Sequence, residues 1–320
     1  MANYTKVTEF LLMGFADRWE LRFLPFMLFL LMFLATLTGN FLVVSAATLD
    51  KNLHTPMYFF LRNLSVLDMC YISVTIPNAC INYVTNNWAI SMAGCVTQIF
   101  LVIYFAFVEL LLLTIMARDR YVAICQPLHY SIIMNHQFCV QATLFSLLSG
   151  LAYAAVHTGS TFRLSFCQSN VVHQFFCDVP SLLSLSCSDT FSNFLLLTVS
   201  IVAVGGSCFI FITISYIQIF STVLKFPPRE RGKAFSTCVP HILVVSVFLS
   251  SIASVYLKPS ATSETIQGMI LSVFYTIVPP FLNPIIYSLR NKQVKEAVRK
   301  TVFFFLESKS SISGSSQVTE

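Results

Sequence analysis

Seven apolar runs, each about as long as a bilayer is thick, constrain this 320-residue chain more than any other feature. They lie at about 23–49, 57–83, 96–120, 139–163, 194–224, 236–257 and 266–289. A helix that crosses a bilayer needs about 20 mostly apolar residues. In lipid, a spanning helix satisfies its own backbone N–H and C=O groups. Hydrophobic residues make up 56% of the chain and charged residues 10%, against about 25% charged in soluble domains. The expected fold class is an all-α membrane protein: a seven-transmembrane helix bundle with a short amphipathic eighth helix.

The basic residues orient the bundle. Lys6, Arg18, Arg22, Arg163 and Lys258 fall on one side, and every other Lys and Arg falls on the opposite side. The positive-inside rule puts the N-terminus outside and the C-terminus inside. The net charge of +5 therefore follows topology and is no argument for nucleic acid. The first 22 residues carry Lys6, Glu9, Asp17, Arg18, Glu20 and Arg22 without a long apolar core. No cleavable signal is expected there, and the first helix would act as the insertion signal. The expected organisation is an extracellular tail over 1–22, the bundle over 23–290, a membrane-surface helix over 291–306 and a disordered cytoplasmic tail over 307–320. In the surface helix, Val294, Ala297, Val298, Thr301 and Phe305 form an apolar stripe. Lys292, Lys295, Arg299 and Lys300 lie mostly off it, a pattern suited to an anionic inner leaflet. Asn3-Tyr4-Thr5 is a glycosylation acceptor on the outer side. Asn63-Leu64-Ser65 matches the same pattern but lies inside the second helix.

A few polar groups interrupt the apolar runs. The third run leads straight into Arg118, Asp119 and Arg120. On charge alone these arginines would only anchor a helix end by snorkelling. Asp68 and Glu109 are acids at membrane depth, which is costly unless they meet a cavity or a partner. Helical spacing puts Glu109 near the face that carries Val102, Ile103 and Ala106. Two close carboxylates repel, so one carries a proton or a cation lies between them. The bland alternative is a neutral, hydrogen-bonded pair that only packs. The second outer loop, about 159–193, holds Cys167, Cys177 and Cys187, with Cys95 at the outer end of helix three. These four cysteines allow three pairings, and the sequence alone does not choose. His173 with Cys177 and Asp178 is a competing metal-ligand reading, disfavoured where oxidation is available. The third inner loop, Lys225 to Lys233, is short and basic, with Pro227-Pro228 marking a break. The acids lack a nucleophile partner and no glycine-rich phosphate loop is present, so no enzyme and no cofactor are expected.

Four strings, in order, carry a resemblance. They are Leu53-His54-Thr55-Pro56-Met57-Tyr58-Phe59-Phe60-Leu61, Met116-Ala117-Arg118-Asp119-Arg120-Tyr121-Val122-Ala123-Ile124-Cys125, Lys233-Ala234-Phe235-Ser236-Thr237-Cys238-Val239-Pro240-His241, and the Pro279 to Asn291 segment with Asn283-Pro284-Ile285-Ile286-Tyr287. Over nearly its whole length the chain resembles the odorant-receptor branch of the rhodopsin-like G-protein-coupled receptors. The resemblance implies a receptor for small, neutral, mostly apolar volatiles that acts through an olfactory-type stimulatory G protein to raise cyclic AMP. It also implies disulfides Cys95–Cys177 and Cys167–Cys187, and a sodium or other cation near Asp68 and Glu109. Asp119, Arg120, Tyr121, Tyr216, His241, Asn283, Pro284 and Tyr287 match its switch positions. At rest, Arg120 would be held by Asp119 and by groups from helix six. Helical spacing and the resemblance together put the odorant pocket at Val102, Ile103, Ala106 and Phe107 on helix three and Ser200 and Val204 on helix five. Ile252 and Tyr256 on helix six and Val273 and Thr276 on helix seven complete it.

None of those ten is Lys, Arg, Asp or Glu, so a buried ionised ligand would be unpaired there. The expected partners are a small-molecule odorant, a heterotrimeric G protein and membrane lipids. Arg118 stands where the family commonly has Tyr, Pro240 where it has Ser, and Leu249-Ser250 where it has Tyr-Gly. These departures bear on how ligand is coupled to the switch, while the fold is unaffected. Two other readings are a rhodopsin-like receptor for a non-odorant metabolite and an ion-coupled transporter or channel. A transporter would show repeats or a continuous polar path, and the sequence has neither.

Overall fold

The computed structural model describes residues 7–15, 19–167, 169–256, 266–290 and 293–302. Among them are seven helices long and apolar enough to cross a membrane. In chain order they are α1 (Trp19–Leu49), α2 (Pro56–Thr85), α3 (Met92–Cys125), α4 (His136–Thr161), α5 (Phe191–Val223), α6 (Pro228–Tyr256) and α7 (Ile266–Arg290). A further helix, α8, covers 293–302.

Local chemistry sets the helix starts. Pro56 opens α2, where its missing N–H is no loss. The Ser91 side chain accepts from the Gly94 N–H at 3.1 Å to cap α3, and Asn135 accepts from the Phe138 N–H at 2.8 Å to cap α4. Asn86, at φ 53°, ends α2 in the left-handed conformation that asparagine tolerates. α3 begins four residues before the apolar run and ends five after it. α6 begins at Pro228 and runs through Pro240, so most of the basic stretch expected as a loop is helical. α5 contains a wider π-helical turn at Ile201–Gly205.

α3 is the axial helix, packed against α2, α4, α5 and α6, while α1 packs on α2 and α7. The largest core cluster joins α2, α3, α5, α6 and α7 through Leu61, Leu112, Met116, Tyr216, Val244 and Tyr287. Exposed Leu, Ile and Phe side chains such as Leu24, Phe145, Phe194 and Phe209 cover the outward faces of α1, α4 and α5. In water such a belt would be a liability, but against lipid tails it costs nothing.

Two segments differ from their sequence expectations. Within the expected extracellular tail, residues 7–15 and 19–22 are described. Glu9–Leu12 forms β1, the central strand of a three-stranded sheet, antiparallel to β2 (Ala89–Ser91) and parallel to β3 (Val171–Val172). Alternation buries Phe10 and Leu12 against Cys95, Cys177 and Phe166, and leaves Glu9 and Leu11 outward. In α8, Val294 and Ala297 are buried in the main core cluster and Thr301 is buried too. That part of the apolar stripe is spent on the bundle and not on lipid. Tyr58 donates to Gln293 Oε1 at 2.6 Å, and Lys300 pairs with Asp50 at 3.6 Å. Residues 291–292 and 303–306 of the expected helix, and Asn3 of the acceptor site, lie outside the described residues.

Candidate functional site

A cavity of about 190 Å³ opens in the bundle toward the end that carries the disulfides. Two cystines build its roof. Cys95 at the start of α3 is bonded to Cys177, and Cys167 to Cys187, with Cα separations of 5.5 and 5.9 Å. Cys177 sulfur is therefore not available to a metal beside His173. Gln98, buried one turn along α3, accepts from the Cys177 N–H at 2.8 Å and donates to the Val74 carbonyl at 3.1 Å. The loop is thus held to both α2 and α3. Asp178 caps the short helix Val179–Ser184, accepting from the Ser181 N–H at 3.2 Å. Its other oxygen accepts from the Tyr275 hydroxyl at 3.4 Å.

Val102, Ile103, Ala106 and Phe107 line the cavity from α3, and Val204 lines it from α5. Three expected lining residues face elsewhere. Ser200 turns to α4, where its hydroxyl meets the Tyr153 hydroxyl at 3.1 Å. Leu197 and Ile201 take the inward face in its place, leading into the π-helical turn. Val273 packs toward Phe29 and Ile277. Thr276 is fully buried and donates to the Ser272 carbonyl at 2.6 Å. On α7 the inward face belongs to Tyr275 and Pro279, one turn apart. A shift of one residue turns a helical side chain by about 100°, and only packing against α1 and α2 settles that phase. Ile252 and Tyr256 belong to α6, but their side chains lie outside the described residues.

The sequence reading also missed a whole wall. Tyr153 and His157, four apart on α4, line the cavity, and Tyr153 stacks on Phe107 with centroids 4.3 Å apart. Their signal was visible as two rings with polar atoms, one helical turn apart, in the fourth run. Glu109 and Asp178 also touch the cavity, so its lining is not free of acids. Both are engaged: Asp178 as described, and Glu109 by Asn283.

Below the cavity, Asn283 Nδ2 donates to Asp68 Oδ2 at 2.9 Å and to Glu109 Oε1 at 3.3 Å. All three residues are buried. Among the described residues, Asp68 Oδ1 and Asn283 Oδ1 have no hydrogen-bond partner. Three oxygen-bearing side chains with two unfilled acceptors suit a shared proton or a hard cation such as sodium. Pro284 packs against α1 where Gly39 leaves room; a Cβ at Gly39 would sit 3.1 Å from Pro284 Cγ.

At the opposite end, Arg120 pairs with Asp119 through Nη2, and its Nε donates to Asp119 Oδ2 at 2.9 Å. The Tyr130 hydroxyl donates to the other carboxylate oxygen at 2.8 Å. Burial, and then the Asp119 carboxylate, hold the Tyr130 hydroxyl above its ordinary pKa, so it stays a donor. No α6 group bonds to Arg120 among the described residues. α6 instead contributes His241, whose Nδ1 lies 2.6 Å from the Tyr216 hydroxyl. Tyr287 is buried, and its hydroxyl has no partner among the described residues. Tyr121 faces away from this cluster, into a groove toward α5. Arg118 lies over the Phe138 ring at 5.1 Å, and Asn63 donates to the Phe59 carbonyl within α2 at 2.8 Å.

The fold is similar to that of squid rhodopsin, with a TM-score of 0.71 over 92% of this chain and 84% of that one, at 20% identity. Human Olfactory receptor 14C36 is 64% identical over 301 residues, covering 94% of this chain and 96% of that receptor. Human Olfactory receptor 14I1 is 53% identical over 300 residues, covering 93% and 96%. The family description Olfactory receptor matches residues 29–304. With that match spanning most of a seven-helix, rhodopsin-like bundle, the chain belongs to the olfactory receptor family, whose members are odorant receptors that signal and are not enzymes.

Proposed function

We propose that this receptor sits in the plasma membrane with its disulfide end outside and its Arg120 end in the cytoplasm. There it binds a small, neutral, mostly apolar volatile and activates an olfactory-type stimulatory G protein. The observation that carries the ligand class is the cavity, whose two carboxylates are already held by Ser181, Tyr275 and Asn283. No Lys or Arg lines the cavity, so an anionic ligand would lose several kcal/mol on burial, and a cationic one would have to compete with the donors that already hold Asp178 and Glu109. Burial of apolar surface contributes about 25 cal/mol per Å². A small volatile should therefore bind at micromolar strength, about −8 kcal/mol at best.

Ligand acts by differential affinity for two states. In the resting state Asp119, itself held by the Tyr130 hydroxyl, pairs with Arg120, and Tyr216 is bonded to His241. In the active state α6 swings outward, Arg120 is released to the G protein, and Tyr216 and Tyr287 refill the space. Asp68, Glu109 and Asn283 share a proton or a sodium ion at rest, with Pro284 next to them inside α7, where it removes one backbone donor. A glycan sits on Asn3. A panel of volatiles screened by cyclic AMP output tests the reading. An agonist found this way should lose its effect at Ala106→Leu, which fills the cavity. An unchanged response in that variant, or a permanently charged best agonist, overturns the assignment.

A further inference from the structure

A second groove, of about 280 Å³, lies at the Arg120 end between α3 and α5. α3 supplies Arg118, Tyr121 and Val122, at spacings that share one helix face, and Gln126 follows just past its end. α5 supplies Phe211, Ile214, Ser215 and Gln218, also one face, and Ile133 closes the side. Phe211 and Ile214 are about half exposed, at 43% and 50%, on the surface that meets lipid. The groove thus has an apolar flank and a rim that carries a guanidinium and two amides.

Arg118 is exposed, and among the described residues no carboxylate lies within ion-pair distance of it. The neighbouring Asp119 is already taken by Arg120 and Tyr130. The Arg118 guanidinium carbon lies over the Phe138 ring at 5.1 Å, a face contact that orients the planar group and leaves its N–H edge to meet other partners. A guanidinium presents a fork of N–H donors that matches a phosphate oxygen pair. With this end in the cytoplasm, as proposed above, the groove faces the anionic leaflet.

We propose that the α3–α5 groove is a binding site for one anionic phospholipid, its phosphate on Arg118 with Gln126 or Gln218 and one acyl chain along Phe211 and Ile214. Charge complementarity selects this occupant. A sterol would fill the apolar flank but leave the guanidinium unpaired. Free phosphate would leave the apolar flank wet.

Native mass spectrometry of the purified full-length receptor, exchanged into micelles doped with phosphatidylserine or phosphatidylcholine, tests this without any odorant. Wild type should retain one phosphatidylserine in preference to phosphatidylcholine. Arg118→Gln should weaken that retention about fivefold, the worth of one basic residue at an anionic surface. Arg118→Lys should keep most of it, and the control Arg163→Gln, exposed at the opposite, disulfide end, should change nothing. A photoreactive phosphatidylserine should label peptides containing Phe211 or Gln218, and inorganic phosphate should not compete. Equal retention by Arg118→Gln, equal loss in Arg163→Gln, competition by phosphate, or displacement by cholesterol independent of the charge at Arg118 would each overturn the proposal. Because the readout is lipid retention, failure to find an agonist leaves this test intact.

Discussion

Replacing Tyr130 by Phe should raise signalling in the absence of ligand. The Tyr130 hydroxyl donates to Asp119 Oδ1 at 2.8 Å, and Asp119 is fully buried. Phenylalanine keeps the ring and removes the donor, leaving one carboxylate oxygen served by nothing from this side. A hydrogen bond to a charged group is worth about 1.5–3 kcal/mol. Tyr130 is only half-buried, so the lower figure applies, about tenfold in an equilibrium. If the active form is about 1% of unliganded receptor, a tenfold shift brings it to about 9%. Basal cyclic AMP, normalised to surface receptor, should therefore rise several-fold. Arg120→Ala, which removes the group the G protein needs, should abolish output in either background. The sign with pH is also set. Burial and the Asp119 charge raise the Tyr130 pKa, so the bond is intact below the ordinary tyrosine value of about 10 and is lost only above the raised one. Basal output of the wild type should stay flat from pH 7 to 9 on this account. Equal basal output from Tyr130→Phe and wild type at matched surface levels would refute the reasoning, since the bond would then not distinguish the two states.

Other expectations come from packing and from the outer chemistry. Phe10→Ala, at a fully buried position on β1, should cost about 3–5 kcal/mol and lower thermal stability sharply; a melting curve like wild type would show that the strand is dispensable. A Cβ at Gly150 would meet Val108 Cγ2 at 2.7 Å, so Gly150→Val should push α4 from α3 at a cost of about 1–3 kcal/mol, read as reduced surface expression. Asp68→Asn should remove any dependence of agonist potency on sodium, and potency that never varies with sodium or pH in wild type would reduce the acids to packing. Asn3→Gln should abolish the mobility shift on deglycosylation, and a shift that survives would place the glycan elsewhere.

Much of this protein was legible from residue order alone, because the bilayer imposes a rule that a one-dimensional pattern can meet. Each crossing must be long, apolar and helical, so the seven spans stand out to within a few residues at most ends. Short motifs such as Asp119-Arg120-Tyr121 and Asn283-Pro284 mark their own places in the bundle. The resemblance paired the cysteines, which local sequence could not. What only the tertiary structure decided is rotation and partnership. Ser200 and Thr276 sit one residue, and Val273 two, from positions that line the cavity, yet a helix turns about 100° per residue, and packing against neighbours selects the phase. Tyr153 and His157 required knowing that α4 reaches the cavity. β1 is four residues whose hydrogen bonds go to strands about 80 and 160 residues away, which no local pattern encodes. The buried stripe of α8 shows the same limit. Its periodicity announced an apolar face, but whether lipid or protein covers that face depended on where the bundle ends.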